Sequence, residues 1–189
     1  KTLVEQAFHE EYSTVGVWGR ALRIYQWLKN LLLFVPLLTS FAFDDRHRFL
    51  AAAFAFVSFS LAASATYLVN DLWDLDNDRA HPRKKRRPLA SGEIQISSAL
   101  VAAPILLTTA FVIASQVTTA FVLMLIVYLT VTSAYSWTLK KYVLVDVLTL
   151  SALYTIRIFA GSLAIGVPIS SWLLIFSMLL FLSLALVKR

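Results

Sequence analysis

Long apolar stretches divided by short polar ones set the layout of this chain. Phe49 to Val69 holds 21 residues without a charge, enough to cross a hydrocarbon core of about 30 Å as an α-helix. Apolar segments of the same kind recur near residues 24–43, 99–115, 119–136, 143–164 and 169–187. Together with 49–70 they predict six membrane-crossing segments. In the first, the uncharged part from Asn30 to Phe43 is short and contains Pro36. It reaches spanning length with Lys29 snorkelling to the interface, or runs as a tilted or re-entrant segment. No flexible linker, low-complexity tract or internal repeat separates the segments, so the expected fold is an all-α polytopic membrane bundle. One membrane domain over residues 20–189 is expected, preceded by an N-terminal extension or surface helix over 1–19.

Composition agrees with that pattern. The chain is 59% hydrophobic and only 15% charged, with a mean hydropathy of +0.72, which an ordinary soluble domain of this length does not combine. The net charge of +6 is spread unevenly. When successive connections alternate sides, 14 of the 17 basic residues fall on one side, Arg46 and Arg48 fall on the other beside Asp44 and Asp45, and Arg157 lies inside a segment. The positive-inside rule makes the basic side cytoplasmic, pointing to a bacterial inner membrane. Basic residues that flank spans argue for orientation and a phosphate-bearing partner, not for nucleic acid. Cysteine is absent and the three histidines, His9, His47 and His81, lack metal-ligand spacing. Any chemistry must rest on carboxylates and cations.

Those groups concentrate in Asn70 to Gly92, where four carboxylates fall within eight residues and six basic residues follow between Arg79 and Arg87. Continuing the second segment as a helix rotates Asp74 and Asp78 by about 300° and 700° from Asp71, which is nearly one stripe. Asp76 points roughly 140° away and is expected in solvent. Three like charges on one stripe repel unless a cation sits among them, and oxygen-only ligands on a short stripe suit Mg²⁺. A polar helix end that merely stops a span is the plainer alternative, but it leaves the aligned aspartates without a purpose, whereas a positive-inside anchor explains the basic loop about as well as a phosphate contact does.

Asn70, Asp71, Asp74 and Asp78 spell the pattern NDxxDxxxD, followed by RPLASG at Arg87 to Gly92. This resembles the first aspartate-rich motif of the UbiA superfamily of intramembrane prenyltransferases. Within it the chain most resembles the decaprenyl-phosphate phosphoribosyltransferase branch, through QWLKN at Gln26 to Asn30, HPRKKRRP at His81 to Pro88, YSWTLK at Tyr135 to Lys140 and IRIFAG at Ile156 to Gly161. The resemblance implies nine helices around a central cavity, with two acidic motifs on the cytoplasmic side. Six segments and one acidic motif are present here, so the chain is expected to be a C-terminally truncated fragment of a longer protein.

The resemblance also implies the chemistry. A Mg²⁺-activated diphosphate donor transfers phosphoribosyl to a polyprenyl phosphate, or, in the alternative, a polyprenyl diphosphate donates its prenyl group to an aromatic or other acceptor. Expected partners are therefore a lipid substrate, a phosphorylated small-molecule donor and the membrane. Asp71, Asp74 and Asp78 are the expected metal ligands, with Asn70 as a further ligand or positioning group. Lys84 and Arg87 are expected on phosphate oxygens, with Lys29, Tyr135, Lys140 and Arg157 as further substrate contacts. Arg157 is singled out because an ionisable residue inside a span is expensive. A non-catalytic transporter or anchor is the reading from another class.

Overall fold

The computed structural model describes residues 14–187. Residues 1–13 of the expected N-terminal extension, with Lys188 and Arg189, lie outside the described residues. α1 (Thr14–Ala21) leads into an 11-residue 3-10 helix (Ile24–Phe34) and the short α2 (Val35–Thr39). α3 (Arg46–Trp73), α4 (Leu75–Ala80), α5 (Ile96–Ser115), α6 (Thr119–Trp137), α7 (Val143–Ile165) and α8 (Ser171–Val187) follow. Local chemistry sets several boundaries. Asp45 caps α3 by accepting from the backbone N–H groups of His47 and Arg48, Thr118 caps α6 through Phe121 N–H, and Gly166 ends α7 at φ +66°, a left-handed turn that a side chain would resist.

α3, α5, α6 and α7 are each long and apolar enough to cross a membrane, and α8 is a shorter apolar helix of 17 residues. The protein is a multi-pass integral membrane protein of the all-α class. The first expected segment differs from its neighbours. As an α-helix, residues 24–39 would extend only about 24 Å. Wound as 3-10 over Ile24–Phe34 and as α over Val35–Thr39, they reach about 30 Å, because the 3-10 rise is about 2.0 Å per residue. Tighter winding supplies the length that the sequence lacks.

The helices approach closely because their facing positions are small. Ala52, Ala55 and Ala62 of α3 and Ala99, Ala103 and Ala110 of α5 are all buried, and small residues let helices gain dispersion contact inside lipid. Hydroxyls tie the bundle across helices: Ser58 Oγ donates to Ala110 O at 2.8 Å, Ser151 Oγ to Met178 O at 2.6 Å and Thr118 Oγ1 to Leu163 O at 3.1 Å. An aromatic core of Phe59, Phe121 and Tyr128 fills the centre. Asn70 at the end of α3 bonds Ser136 at the end of α6, and Trp73 packs on Trp137. Those contacts bring the acidic motif and the 138–142 connection to one end of the bundle. His47, Gln116 and Gly166 line a cavity at the other.

Candidate functional site

Helix α3 stops at Trp73, Asp74 adopts φ −91° and ψ 11° at the break, and α4 continues the chain as far as Ala80. Pro82 favours extended backbone in the residue before it, and His81 accordingly sits at ψ 132°. The His81 imidazole then accepts from the N–H groups of Arg83 and Lys84. This folds the basic loop back over the acidic helix end.

At the centre, Arg87 Nη1 bridges Asp71 Oδ1 at 3.0 Å and Asp78 Oδ2 at 2.5 Å. Arg23 Nη2 reaches the same Asp71 oxygen at 2.6 Å, and Lys84 Nζ lies 3.7 Å from Asp78 Oδ1. Asp71 and Asp78 are buried, at 4% and 1% exposure, whereas Lys84 is exposed and Arg87 half-buried. Two buried carboxylates thus meet three cations, leaving the cluster itself with one net positive charge. Such a cluster holds its own acids in place and still attracts an anion.

Beside it opens a cavity of about 490 Å³ lined by Asn70, Trp73, Asp74, Asn77, Trp137 and Lys140, among others. The single stripe expected of the three aspartates is therefore divided. On an unbroken helix with Asp71 as zero, Asp78 would lie at about −20°, Asp74 at about −60°, and Asn70 and Asn77 at about −100° and −120°. Asp74 stands almost midway between the two groups, and at the helix break it joins the Asn70 side. Among the described residues it forms no ion pair. Asp76 is exposed, as its position opposite the stripe requires.

The remaining candidate residues are distributed around these two groups. Lys140 lines the cavity. Tyr135 donates from its hydroxyl to Asp146 Oδ1 at 2.8 Å, tying α6 to α7 beside the cavity. Lys29 is half-buried on the 3-10 helix. Arg157 is buried within the bundle, where Nε donates to Asn30 Oδ1 at 3.0 Å, Nη2 to Tyr128 Oη at 3.3 Å and Nη1 to the Leu153 carbonyl. Arg23 belongs to the acidic cluster although its sequence position suggested no more than a charge flanking a span. Its one distinguishing signal is conformational: φ 52° and ψ 47°, a left-handed geometry costing a non-glycine residue about 1 kcal/mol or more, of the kind stored at functional sites.

A divalent cation fits the donor set. Asp78 Oδ1 is buried with no hydrogen-bond partner among the described residues, and Arg87 bridges Asp78 to a second buried carboxylate, Asp71. Among the described residues, no three Asp, Glu, His or Cys side chains come together as a group that could hold a metal ion. Mg²⁺ requires no such group of three, since it takes one or two carboxylates and completes its octahedron with water and substrate phosphate.

The chain matches the UbiA prenyltransferase family over residues 31–188. It belongs to that family. The UbiA chain is 38% identical to a decaprenyl-phosphate phosphoribosyltransferase of Mycobacterium tuberculosis over 160 residues, which is 82% of this chain and 53% of that protein. It is 43% identical to the protein y4nM of Sinorhizobium fredii over 95% of its own length and 35% of the relative's. Its fold superimposes on a UbiA homologue from Archaeoglobus fulgidus, solved bound to DMAPP and Mg²⁺, with a TM-score of 0.74 at 21% identity, covering 88% of this chain and 60% of that one. This UbiA chain therefore spans about half, or less, of the length of these curated relatives.

Proposed function

We propose that the protein to which this UbiA domain belongs transfers phosphoribosyl from phosphoribosyl diphosphate to a polyprenyl phosphate, with Mg²⁺ activating the donor at the Asp71–Asp78 end of the bundle. The observation that carries this reading is the pairing of a cation-rich acidic cluster with an open cavity at one end of the spans. The similarity to the mycobacterial phosphoribosyltransferase supplies the donor and acceptor classes. The basic connections on that end make it cytoplasmic by the positive-inside rule, where a soluble phosphorylated donor is available.

Asp78 Oδ1 and the Asp71 carboxylate are the groups at the cluster that would hold the metal, and Asp74 with the Asn70 amide oxygen would face it from the adjoining cavity. Bound there, Mg²⁺ supplies Lewis-acid stabilisation of a departing diphosphate. Arg87 now neutralises both buried carboxylates, and Arg23 shares Asp71 with it. Were a metal to share those carboxylates, Arg87 and Arg23 would keep their places and have donors free for diphosphate oxygens, which Arg can grip bidentately. Lys84 and Lys140 hold outlying phosphate oxygens as point charges. Fixed cations aimed at charge that grows in the transition state are worth about 3 kcal/mol apiece when removed. The buried setting of Asp71 and Asp78 keeps the cations fixed before substrate arrives.

Prenyl transfer from a prenyl diphosphate is the second reading, favoured by the fold shared with the DMAPP-bound Archaeoglobus homologue. It uses the same diphosphate site with a different carbon electrophile. A transporter would place ionisable groups and broken helices near the bilayer midplane, whereas these acids lie at one end. The test supplies full-length protein with labelled phosphoribosyl diphosphate plus polyprenyl phosphate, and separately with labelled prenyl diphosphate plus an aromatic acceptor. Labelled lipid from the first mixture alone is expected. Product from the second alone would replace the phosphoribosyl assignment with prenyl transfer.

A further inference from the structure

The long 3-10 helix is held along one stripe of α3 by polar contacts in regular order. Asn30 Nδ2 donates to Ser60 Oγ at 3.0 Å, and Trp27 Nε1 donates to Ser64 Oγ at 3.0 Å. Ser64 in turn donates to the Leu22 carbonyl at 2.8 Å. Further along, the Arg23 guanidinium lies over the Tyr67 ring, 4.5 Å from its centroid, and pairs with Asp71. Residues 60, 64, 67 and 71 are successive positions on one α-helical face. Arg23 on Asp71 is thus the last rung of a ladder that begins deep in the bundle.

The spacing explains the winding. Three residues of 3-10 helix make one full turn and rise about 6 Å, the same distance as four residues of α-helix, which return to nearly the same face. Trp27 and Asn30 therefore meet Ser64 and Ser60 in register. The same three-to-four match recurs on α7, where Asn30 meets Arg157 and Leu33 meets Gly161. A Cβ at Gly161 would collide with the Leu33 carbonyl. Wound as α, the segment would slip out of step with both neighbours after one turn.

Arg157 closes this register. Its charge is buried, and among the described residues no carboxylate pairs with it. Its donors go to Asn30, Tyr128 and the Leu153 carbonyl, and the rings of Tyr128 and Tyr154 lie 5.1 and 5.5 Å from Cζ. Aromatic faces and neutral acceptors thus satisfy a cation that would be costly to bury alone. Because Asn30 spends its amide oxygen on Arg157 and its amide nitrogen on Ser60, one side chain locks the 3-10 helix to α7 and α3 together.

We propose that Arg157 is a positioning residue for the diphosphate site: through Asn30 it fixes the register of the 3-10 helix and so sets Arg23 on Asp71. The role rests on the diphosphate-site reading, and it makes Arg157 act from the bundle core without touching substrate. The test measures binding of magnesium diphosphate to full-length protein in nanodiscs, for wild type, Arg23→Gln, Arg157→Lys, Asn30→Ala and the Arg23→Gln/Arg157→Lys pair. Arg157→Lys and Asn30→Ala are each expected to weaken binding about tenfold, since small misplacements of a binding group are expensive. The pair is expected to bind no more weakly than Arg23→Gln alone, because both act through one contact. Unchanged binding in Arg157→Lys and Asn30→Ala, or losses that multiply in the pair, would overturn the proposal.

A ligand-free arm separates this from the functional reading. Trp27→Cys and Ser64→Cys replace one rung with two thiols separated by the reach of the lost indole, which a short bifunctional thiol reagent bridges where a direct disulfide would not, and adding Arg157→Lys is expected to lower the cross-linking yield severalfold. An unchanged yield would overturn the positioning role whatever the ligand. Absence of diphosphate binding in wild type, with the yield still dependent on Arg157, would overturn the diphosphate site instead.

Discussion

Replacing Arg87 with Met removes the one group, among the described residues, that touches both buried carboxylates of the cluster. Asp78 would lose its 2.5 Å partner and keep only Lys84, 3.7 Å away and 46% exposed, while its Oδ1 already has no hydrogen-bond partner among the described residues. Asp71 would keep Arg23 at 2.6 Å. Breaking a buried ion pair from one side costs about 3–5 kcal/mol, and the 30% exposure of Arg87 lets water screen part of that, so about 3 kcal/mol is expected. Adding Asp78→Asn removes the stranded charge and should return about 2 kcal/mol, a coupling that a double-mutant cycle isolates. The assay is the unfolding free energy of full-length protein from a denaturant titration in mixed micelles. An Arg87→Met variant within about 0.5 kcal/mol of wild type, the range of an ordinary surface change, would refute the reasoning, as would strict additivity in the cycle.

Other positions give independent checks. Gly161→Ala forces a methyl against the Leu33 carbonyl and is expected to cost about 1–3 kcal/mol in the same titration, since overpacking displaces backbone; a neutral result would contradict the close approach of the 3-10 helix to α7. Ser60→Ala leaves the buried Asn30 Nδ2 without its 3.0 Å acceptor and should cost about 1–3 kcal/mol, whereas a stabilised variant would remove the lower rung from the account. In a transfer assay on full-length protein, Asp74→Asn is expected to lower turnover by about a hundredfold or more, while the exposed Asp76→Asn stays near wild type. Equal effects at the two positions would erase the distinction between cavity and solvent.

Much of this could be read from the residues because the bilayer imposes a simple rule. Apolar runs of sufficient length at 49–70, 99–115, 119–136 and 143–164 correspond to α3, α5, α6 and α7, and the apolar run at 169–187 to α8. The 3-10 winding of Ile24–Phe34 was not legible, since IYQWLKNLLLF suits an α-helix equally well. Its pitch is decided by rungs on α3 and α7 that lie far away in sequence. The acidic face could be located from helical periodicity, but its division could not, because Asp74 lies midway between two faces and a local break chooses its side. The role of Arg23 is hidden in the sequence for a similar reason. A lone arginine before an apolar run reads as an interface anchor until the chain direction brings it onto Asp71.

The Asp71–Asp78 end of the bundle is proposed to bind a diphosphate donor with Mg²⁺. The most direct test is a titration of full-length protein with labelled phosphoribosyl diphosphate, with Mg²⁺ and after chelation, alongside Asp74→Ala. Saturable binding that requires Mg²⁺ and is lost in Asp74→Ala is the predicted result. Binding that ignores both chelation and the substitution would contradict it.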